Sequence, residues 1–431
     1  MDGDFRTTAR YITGTNPKSG HIIVVIKKNP TVLKEFIRWF ADRGDILGDG
    51  KKLVKDLPLL VIDDEADNAS INISSDSISS INGLIRSLLS LFQQSAYVGY
   101  TATPFANVFI PLTEGKDEAS RGLNILLPEF WRFSGKDLFP KDFIINIPPP
   151  SNYIGPKEIF GIESEISADP EKAENGLPLL KEILPAEYQS YFPDKHKRDD
   201  SPPVGLPESL KEAIKSFILV CAVRRARGQI NVHNSMLVHV TRFVRWQNKT
   251  SSLINRQLKF YQEQIQYKQG NLIAELKELY EKKFVPVTNE IINSPSFEDP
   301  FVISLEWFEV ETQLSKAASK IQVRAIHGDS TQEDLEFDNV TSLDYYTYKD
   351  TGLSVIAIGG NKLSRGLTLE GLSISYYLRS SKMYDTLMQM GRWFGYRPGY
   401  VDLCRLYTSE ELIKWYKYIT VASEELRAEF E

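Results

Sequence analysis

Short apolar runs and helical periodicity alternate along the first hundred residues. His21 to Ile26 reads HIIVVI, a β-branched run that predicts a buried parallel strand. Asn29 and Pro30 follow as cap and first helical residue, and Leu33, Phe36, Ile37 and Phe40 recur at helical spacing until Gly44. Pro58 to Ile62 predicts a second strand. Ile85, Leu88, Leu89 and Phe92 predict a second amphipathic helix, and Ala96 to Tyr100 a third strand. Strand and helix in alternation argue for a parallel α/β sheet with crossover helices.

The rhythm breaks between Pro140 and Pro203, where Pro, Gly and charged residues crowd together and predict a linker or an irregular insertion. It resumes with a helix over 210–227 and a strand from Ser235 to Val240. A polar helical stretch from Leu253 to Phe284 keeps one apolar face through Leu258, Tyr261, Ile265, Leu272, Leu276 and Leu279 and reads as a helical insertion. Strands over 322–326, 354–358 and 373–377, a helix from about Tyr384 and a strand near 403–407 complete the pattern. Thr408-x-x-Glu411 opens a last helix as a capping box.

Composition narrows the class. At roughly 100 to 200 residues per domain, 431 residues predict two or three domains, and 42% hydrophobic with 25% charged residues is an ordinary folded balance. A net charge of −6 gives no global field toward nucleic acid, so DNA binding needs a local groove. Cys221 and Cys404 are the only cysteines, which excludes a disulfide framework and fits a reducing cytoplasm. No apolar run approaches the ~20 residues of a membrane span, and a soluble cytoplasmic chain without a membrane partner is expected.

Four motifs carry candidate chemistry. Val61-Ile62-Asp63-Asp64-Glu65-Ala66-Asp67 places acids where an apolar strand ends, the edge at which such sheets bind ligands. Carboxylates there can hold magnesium through its waters and orient a water for attack on a phosphate; a solvated acidic turn is the alternative. Gly99-Tyr100-Thr101-Ala102-Thr103-Pro104 brings two hydroxyls to the same edge, or is simply a strand that ends at proline. Gly359 to Glu370 follows a strand, and Gln389-Met390-Gly391-Arg392-Trp393-Phe394-Gly395-Tyr396-Arg397 sets two arginines beside glycines. They suit bidentate phosphate contact, or serve as cations at a helix end.

In this order, DDEAD, GYTATP, SRGLTLEG and QMGRWFGYR resemble motifs II, III, V and VI of superfamily 2 helicases, especially restriction-associated translocases. The run from Phe130 through Pro140 and Pro149 to Gly161, with Asp385 to Arg397, is similar to the signature of the Z-one domain, a family described as an endonuclease domain. This resemblance implies two RecA-like lobes with parallel sheets and irregular and helical insertions. Their expected bounds are a partial first lobe over 1–145, a linker over 146–205, and a second lobe over 206–431 with its insertion at about 251–300.

It implies ATP and magnesium as cofactors, Asp64 on the metal, Glu65 polarising the attacking water and Asp67 linked to Thr101 and Thr103. Arg365 and Gly366 would touch nucleotide or strand, and Gln389, Arg392 and Arg397 would complete the nucleotide site. Which arginine acts as the finger stays open, because three residues after Arg392 stands Gly395. The implied function is an ATP-dependent translocase on double-stranded DNA with restriction or defence subunits as partners. A magnesium-dependent endonuclease and an inactive interaction scaffold are the alternatives.

No G-x-x-x-x-G-K-[ST] loop occurs in the 431 residues, so the expectation is a piece of a longer polypeptide that binds nucleotide weakly or not at all by itself. No acid followed by an acid-x-Lys pair stands out for nuclease chemistry, and His21, His196, His233, His239 and His327 lack metal-ligand spacing. Arg224, Arg225 and Arg227, and then Arg242, Arg245 and Lys249 with Phe243 and Trp246 between them, mark a DNA path or two solvated faces.

Overall fold

The computed structural model describes residues 20–71, 79–108, 110, 122–131, 137–167, 169, 171, 173–294, 298–326, 343–360, 363, 367–379 and 384–430. The chain divides into two compact units, 1–145 and 146–431.

In the first unit, α1 (Pro30–Ala41) starts where Asn29 accepts from the amides of Thr31 and Val32. A short antiparallel pair, β1 (Asp45–Ile46) and β2 (Lys52–Leu53), leads to β3 (Leu59–Asp64). Then α2 (Ser80–Leu91) crosses over to β4 (Ser95–Tyr100), which pairs with β3 in parallel, Asp64 opposite Tyr100. The core lies between the helices and one face of this pair: Leu33, Phe36, Ile37 and Phe40 meet Leu84, Ile85, Leu88 and Leu91, with Leu59, Val61 and Tyr97 against them. The other face is open, with Leu60 59% and Ile62 64% exposed.

The strand expected over His21 to Ile26 is absent. That stretch joins no ladder among the described residues, and Ile23 and Val25 are 92% and 87% exposed. A β-branched run favours extended backbone, but a strand also needs a neighbour for its amides and carbonyls.

The second unit begins irregularly, with β5 (Tyr153–Ile154) and β6 (Leu180–Glu182), and β6 becomes the edge strand of the main sheet. Next come α3 (Glu208–Ala226), β7 (Asn234–His239) and α4 (Val244–Tyr267), then α5 (Leu272–Leu279), a π-helical turn over Tyr280–Phe284 and α6 (Val285–Ile292). The single helix expected from Leu253 to Phe284 is thus broken after Tyr267, where Lys268 and Gly270 adopt left-handed backbone. Then follow α7 (Trp307–Ala318), β8 (Ile321–Ile326), β9 (Ser354–Gly359), β10 (Leu372–Tyr377), α8 (Tyr384–Met390), β11 (Gly395–Tyr396), β12 (Arg405–Thr408) and α9 (Glu410–Ala428). The cap of α9 is Ser409, whose hydroxyl accepts from Leu412, one residue later than the box expected at Thr408.

The sheet has six strands in the order β6-β12-β10-β7-β9-β8, all neighbours parallel. This makes the protein α/β. Both faces are covered, as alternate side chains require. Met236, Val238, Ile356, Ile358, Ile374 and Tyr376 pack with α3, α4 and α7, while Leu237, Val355, Ala357 and Leu372 pack on the reverse. Among the described residues, no helix is long and apolar enough to cross a membrane.

Candidate functional site

At the carboxyl end of β3, strand alternation splits the acids. Asp63 points into the core side and is 5% exposed, whereas Asp64 and Glu65 are exposed. Asp63 is held from two directions: its Oδ1 lies 3.1 Å from the Lys28 ammonium, and its Oδ2 accepts from the Tyr97 hydroxyl at 2.7 Å. Burial first, and then this bond to Asp63, push the Tyr97 phenol far above its usual range, so it remains a donor. The same Lys28 ammonium donates to the carbonyls of Asp64 and Glu65, both at 2.7 Å. Glu65 sits at φ 55°, a left-handed conformation that costs a non-glycine residue about 1 to 2 kcal/mol.

Neighbouring groups hold the turn in that shape. The Ala66 amide donates to the Tyr100 carbonyl at 3.0 Å, and Asn107 donates to the Ala66 carbonyl at 3.2 Å. Gly99 permits the approach, since a Cβ there would meet the Ala66 Cβ at 2.9 Å. Asp67 turns back and accepts from the Thr103 hydroxyl at 2.6 Å, while the Thr103 amide donates to Thr101 Oγ1 at 2.9 Å. Asp67, Thr101 and Thr103 are therefore brought together, with Thr101 linked through Thr103. Asp64 and Glu65 face solvent, and Asp64 Oδ1 accepts from the Glu65 amide at 3.1 Å. Among the described residues, no group of three or more His, Cys, Asp or Glu side chains is arranged to hold a metal. One or two carboxylates suffice for magnesium that keeps most of its waters.

In the second unit, Gln389 lies in the last turn of α8, and Arg392 follows it and donates through NH2 to the Leu367 carbonyl. Arg397 folds back on its own turn: its guanidinium donates to the carbonyls of Tyr396 at 2.8 Å, Trp393 and Phe394 at 3.1 Å and Arg392 at 3.4 Å. Gly395, at φ 129°, allows the reversal, and β11 pairs antiparallel with β5 to fix it. Arg397 thus braces the turn that carries Arg392. Arg365 and Gly366 lie outside the described residues.

The family model of the Z1 domain matches residues 209–431. The chain belongs to the Z1 domain family. No curated protein and no solved structure matches it. The Z1 match begins inside α3 and takes in five of the six strands of the sheet, β7, β8, β9, β10 and β12, so the acid turn of the first unit lies outside it.

Within the Z1 domain, the basic clusters divide in a way the sequence did not show. Arg227 makes a two-pronged bond to Asp402 at 2.6 and 2.8 Å, with side chains only 2% and 0% exposed, and Thr288 donates to the same carboxylate. Arg224 donates to the His233 carbonyl and to Asn234, both at 2.8 Å, and lies over the Tyr400 ring. These two arginines are internal struts, not a DNA path. Trp246 is likewise buried, its ring tilted against that of His196 with centres 4.1 Å apart, and is closed to a nucleobase. Arg242, Arg245 and Lys249 remain exposed.

Lys28, Tyr97 and Arg379 escaped the sequence reading, and His239 entered it only as a histidine without metal-ligand spacing. For Lys28 and Arg379 a signal was present: each follows an apolar run closely, as the acids follow β3.

Proposed function

We propose that this chain is the metal-holding and DNA-gripping part of an ATP-driven translocase on double-stranded DNA, related to superfamily 2 motors. In this reading its two units are RecA-like lobes working in the cytoplasm with restriction or defence subunits. The observation that carries the proposal is the acid turn. At the carboxyl edge of parallel strands, Asp63 and Asp67 are consumed by Lys28, Tyr97 and Thr103, and this bracing presents Asp64 and Glu65 to solvent. Ligands of parallel sheets bind at that edge.

The residues fit magnesium held through water, with Asp64 the group that would hold it and Glu65 the one that would orient the attacking water. Magnesium, when bound, would neutralise charge on the phosphate oxygens of ATP. Thr103, bonded to Asp67, couples the turn to the end of β4, so a change at one strand end is felt at the next. Arg392 and Gln389 suit phosphate contacts from the Z1 domain, with Arg397 as the brace. The G-x-x-x-x-G-K-[ST] loop has no match in the 431 residues, so in this reading the chain supplies the metal-holding and water-orienting acids, the phosphate contacts of Arg392 and Gln389 and the DNA grip, and not that loop.

The test uses a polypeptide that joins such a loop to this chain. Glu65→Gln should stop ATP turnover while leaving ATP binding in place. Turnover unchanged by the substitution would sink the assignment.

A further inference from the structure

The Lys28 ammonium is surrounded by oxygen. It lies 2.7 Å from each of the carbonyl oxygens of Asp64 and Glu65, 3.1 Å from Asp63 Oδ1 and 3.3 Å from Ser70 Oγ. An ammonium has three protons and no acceptor, so its donors are shared among more oxygens than protons, as around an ion. Asp63 and Ser70 are buried, at 5% and 1% exposed. The other carboxylate oxygen of Asp63 accepts from Tyr97, so one carboxylate charge meets one ammonium charge in this cluster.

The chain delivers the ammonium from a fixed point. Lys28 stands one residue before Asn29, which caps α1 with its side chain and donates its amide to the Lys27 carbonyl at 2.8 Å. The oxygens come from the far end of β3 and beyond, two of them from the turn in which Glu65 takes its left-handed backbone. Asp64 is tied to the same turn, since its Oδ1 accepts from the Glu65 amide at 3.1 Å. Rotation of the Glu65 backbone therefore moves the Asp64 carboxylate. The Lys28 side chain is 27% exposed, so the cluster opens to solvent on the lysine's side.

Carbonyls, a hydroxyl and a carboxylate oxygen are ligands of a hard cation, and one carboxylate balances a monovalent one. We propose that Lys28 is the resident cation of the acid turn: its ammonium fills a monovalent-cation site made by Asp63, Ser70 and the carbonyls of Asp64 and Glu65. As a positioning residue it thereby fixes Asp64 for the divalent metal. The inference rests on the metal reading above and adds to it an inner cation position. Lys28 acts through the turn and does not touch the metal.

A free ammonium ion can replace the side chain that Lys28→Ala removes, and this gives the test. Lys28→Ala leaves the Asp63 carboxylate buried without its counter-charge. It should unfold several degrees below the unaltered protein in tetramethylammonium chloride, whose cation is too large and has no N–H donors. Ammonium chloride at the same ionic strength should restore most of that loss with a saturable dependence, beyond any difference the two salts make to the unaltered protein. Adding Asp63→Asn to Lys28→Ala removes the charge of the site, and the double variant should respond to both salts alike.

Mn²⁺ binding separates positioning from charge. In tetramethylammonium, Lys28→Ala should bind Mn²⁺ about tenfold more weakly, the usual effect of losing a group that orients a metal ligand, and ammonium should restore the affinity. A lysine that acted only through its field would do the reverse, because removing one cation favours another.

A Lys28→Ala protein that unfolds alike in the two salts, or folds in neither, would overturn the cation site. Tighter Mn²⁺ binding by Lys28→Ala, weakened again by ammonium, would overturn the positioning role. If the unaltered protein binds no Mn²⁺, the metal reading falls together with the positioning role, while the ammonium dependence of unfolding still decides the inner site.

Discussion

The strands of the two units begin from the same kind of sequence and end in different surroundings. β9, SVIAIG, and β3, LLVIDD, are both six-residue strands built around an apolar run in parallel ladders. Every residue of β9 is buried, whereas β3 alternates between half-covered and exposed from Leu59 to Ile62 and buries only Asp63. The difference lies in the neighbours. β9 has a strand on each side and side chains packed against both of its faces, while among the described residues β3 has one partner and helices on one face. Apolar sequence sets the tendency to be a strand, and the count of partners decides how much that strand contributes to stability.

Truncating one isoleucine in each strand gives the largest expected contrast. Ile356→Ala empties a fully buried site and should cost about 2 to 5 kcal/mol in chemical denaturation. Ile62→Ala, on the open face, should change stability by no more than about 0.5 kcal/mol. A cost at Ile62 as large as at Ile356 would mean that the open face is covered in solution.

The same contrast explains what could be read from the sequence. Strands β7, β8, β9, β10 and β12 and the helices α1, α2 and α3 were legible because apolar residues recur at the spacing the burial demands, whereas the edge strand β6 lay in the stretch expected to be a linker or an irregular insertion. His21 to Ile26 misled because composition reports a preference for extended backbone and says nothing about a pairing partner. The break in the insertion was hidden for a local reason: Lys268 and Gly270 interrupt the helix while Ile265 and Leu272 keep the apolar face nearly in phase. At the candidate site, the acids and threonines were visible as a motif. Which acids face water was not, since that depends on Lys28 and Tyr97, more than thirty residues away on either side. The fate of Arg224 and Arg227 was equally hidden, because a buried arginine with a distant aspartate looks like a surface cation until the chain is folded.

The strand ends sharpen the contrast through pH. β7 ends in His239, buried and neutral, with its pKa pushed down to about 3 first by burial and then by the Arg379 charge. The unfolded chain takes up a proton below the ordinary value of 6.5 that the folded chain refuses. This stability is therefore complete above 6.5 and declines as pH falls toward 3, with a limiting slope of about 1.4 kcal/mol per pH unit. Denaturation between pH 7 and 4 should show His239→Gln with a shallower decline than the unaltered protein. Identical profiles would remove His239 from the acid response.

Metal affinity tests the division of the acid turn most directly. Mn²⁺ can stand in for Mg²⁺ and its binding to the full 431-residue chain can be followed by electron paramagnetic resonance. Asp64→Asn should weaken that binding by about tenfold or more, as loss of a metal-holding carboxylate does, without a change in thermal unfolding. Thr103→Val, which removes the hydroxyl that donates to Asp67, should lower the unfolding temperature first and affect Mn²⁺ only as far as the turn loosens. Mn²⁺ binding that is unchanged by Asp64→Asn would contradict the assignment of this turn as the metal-holding edge.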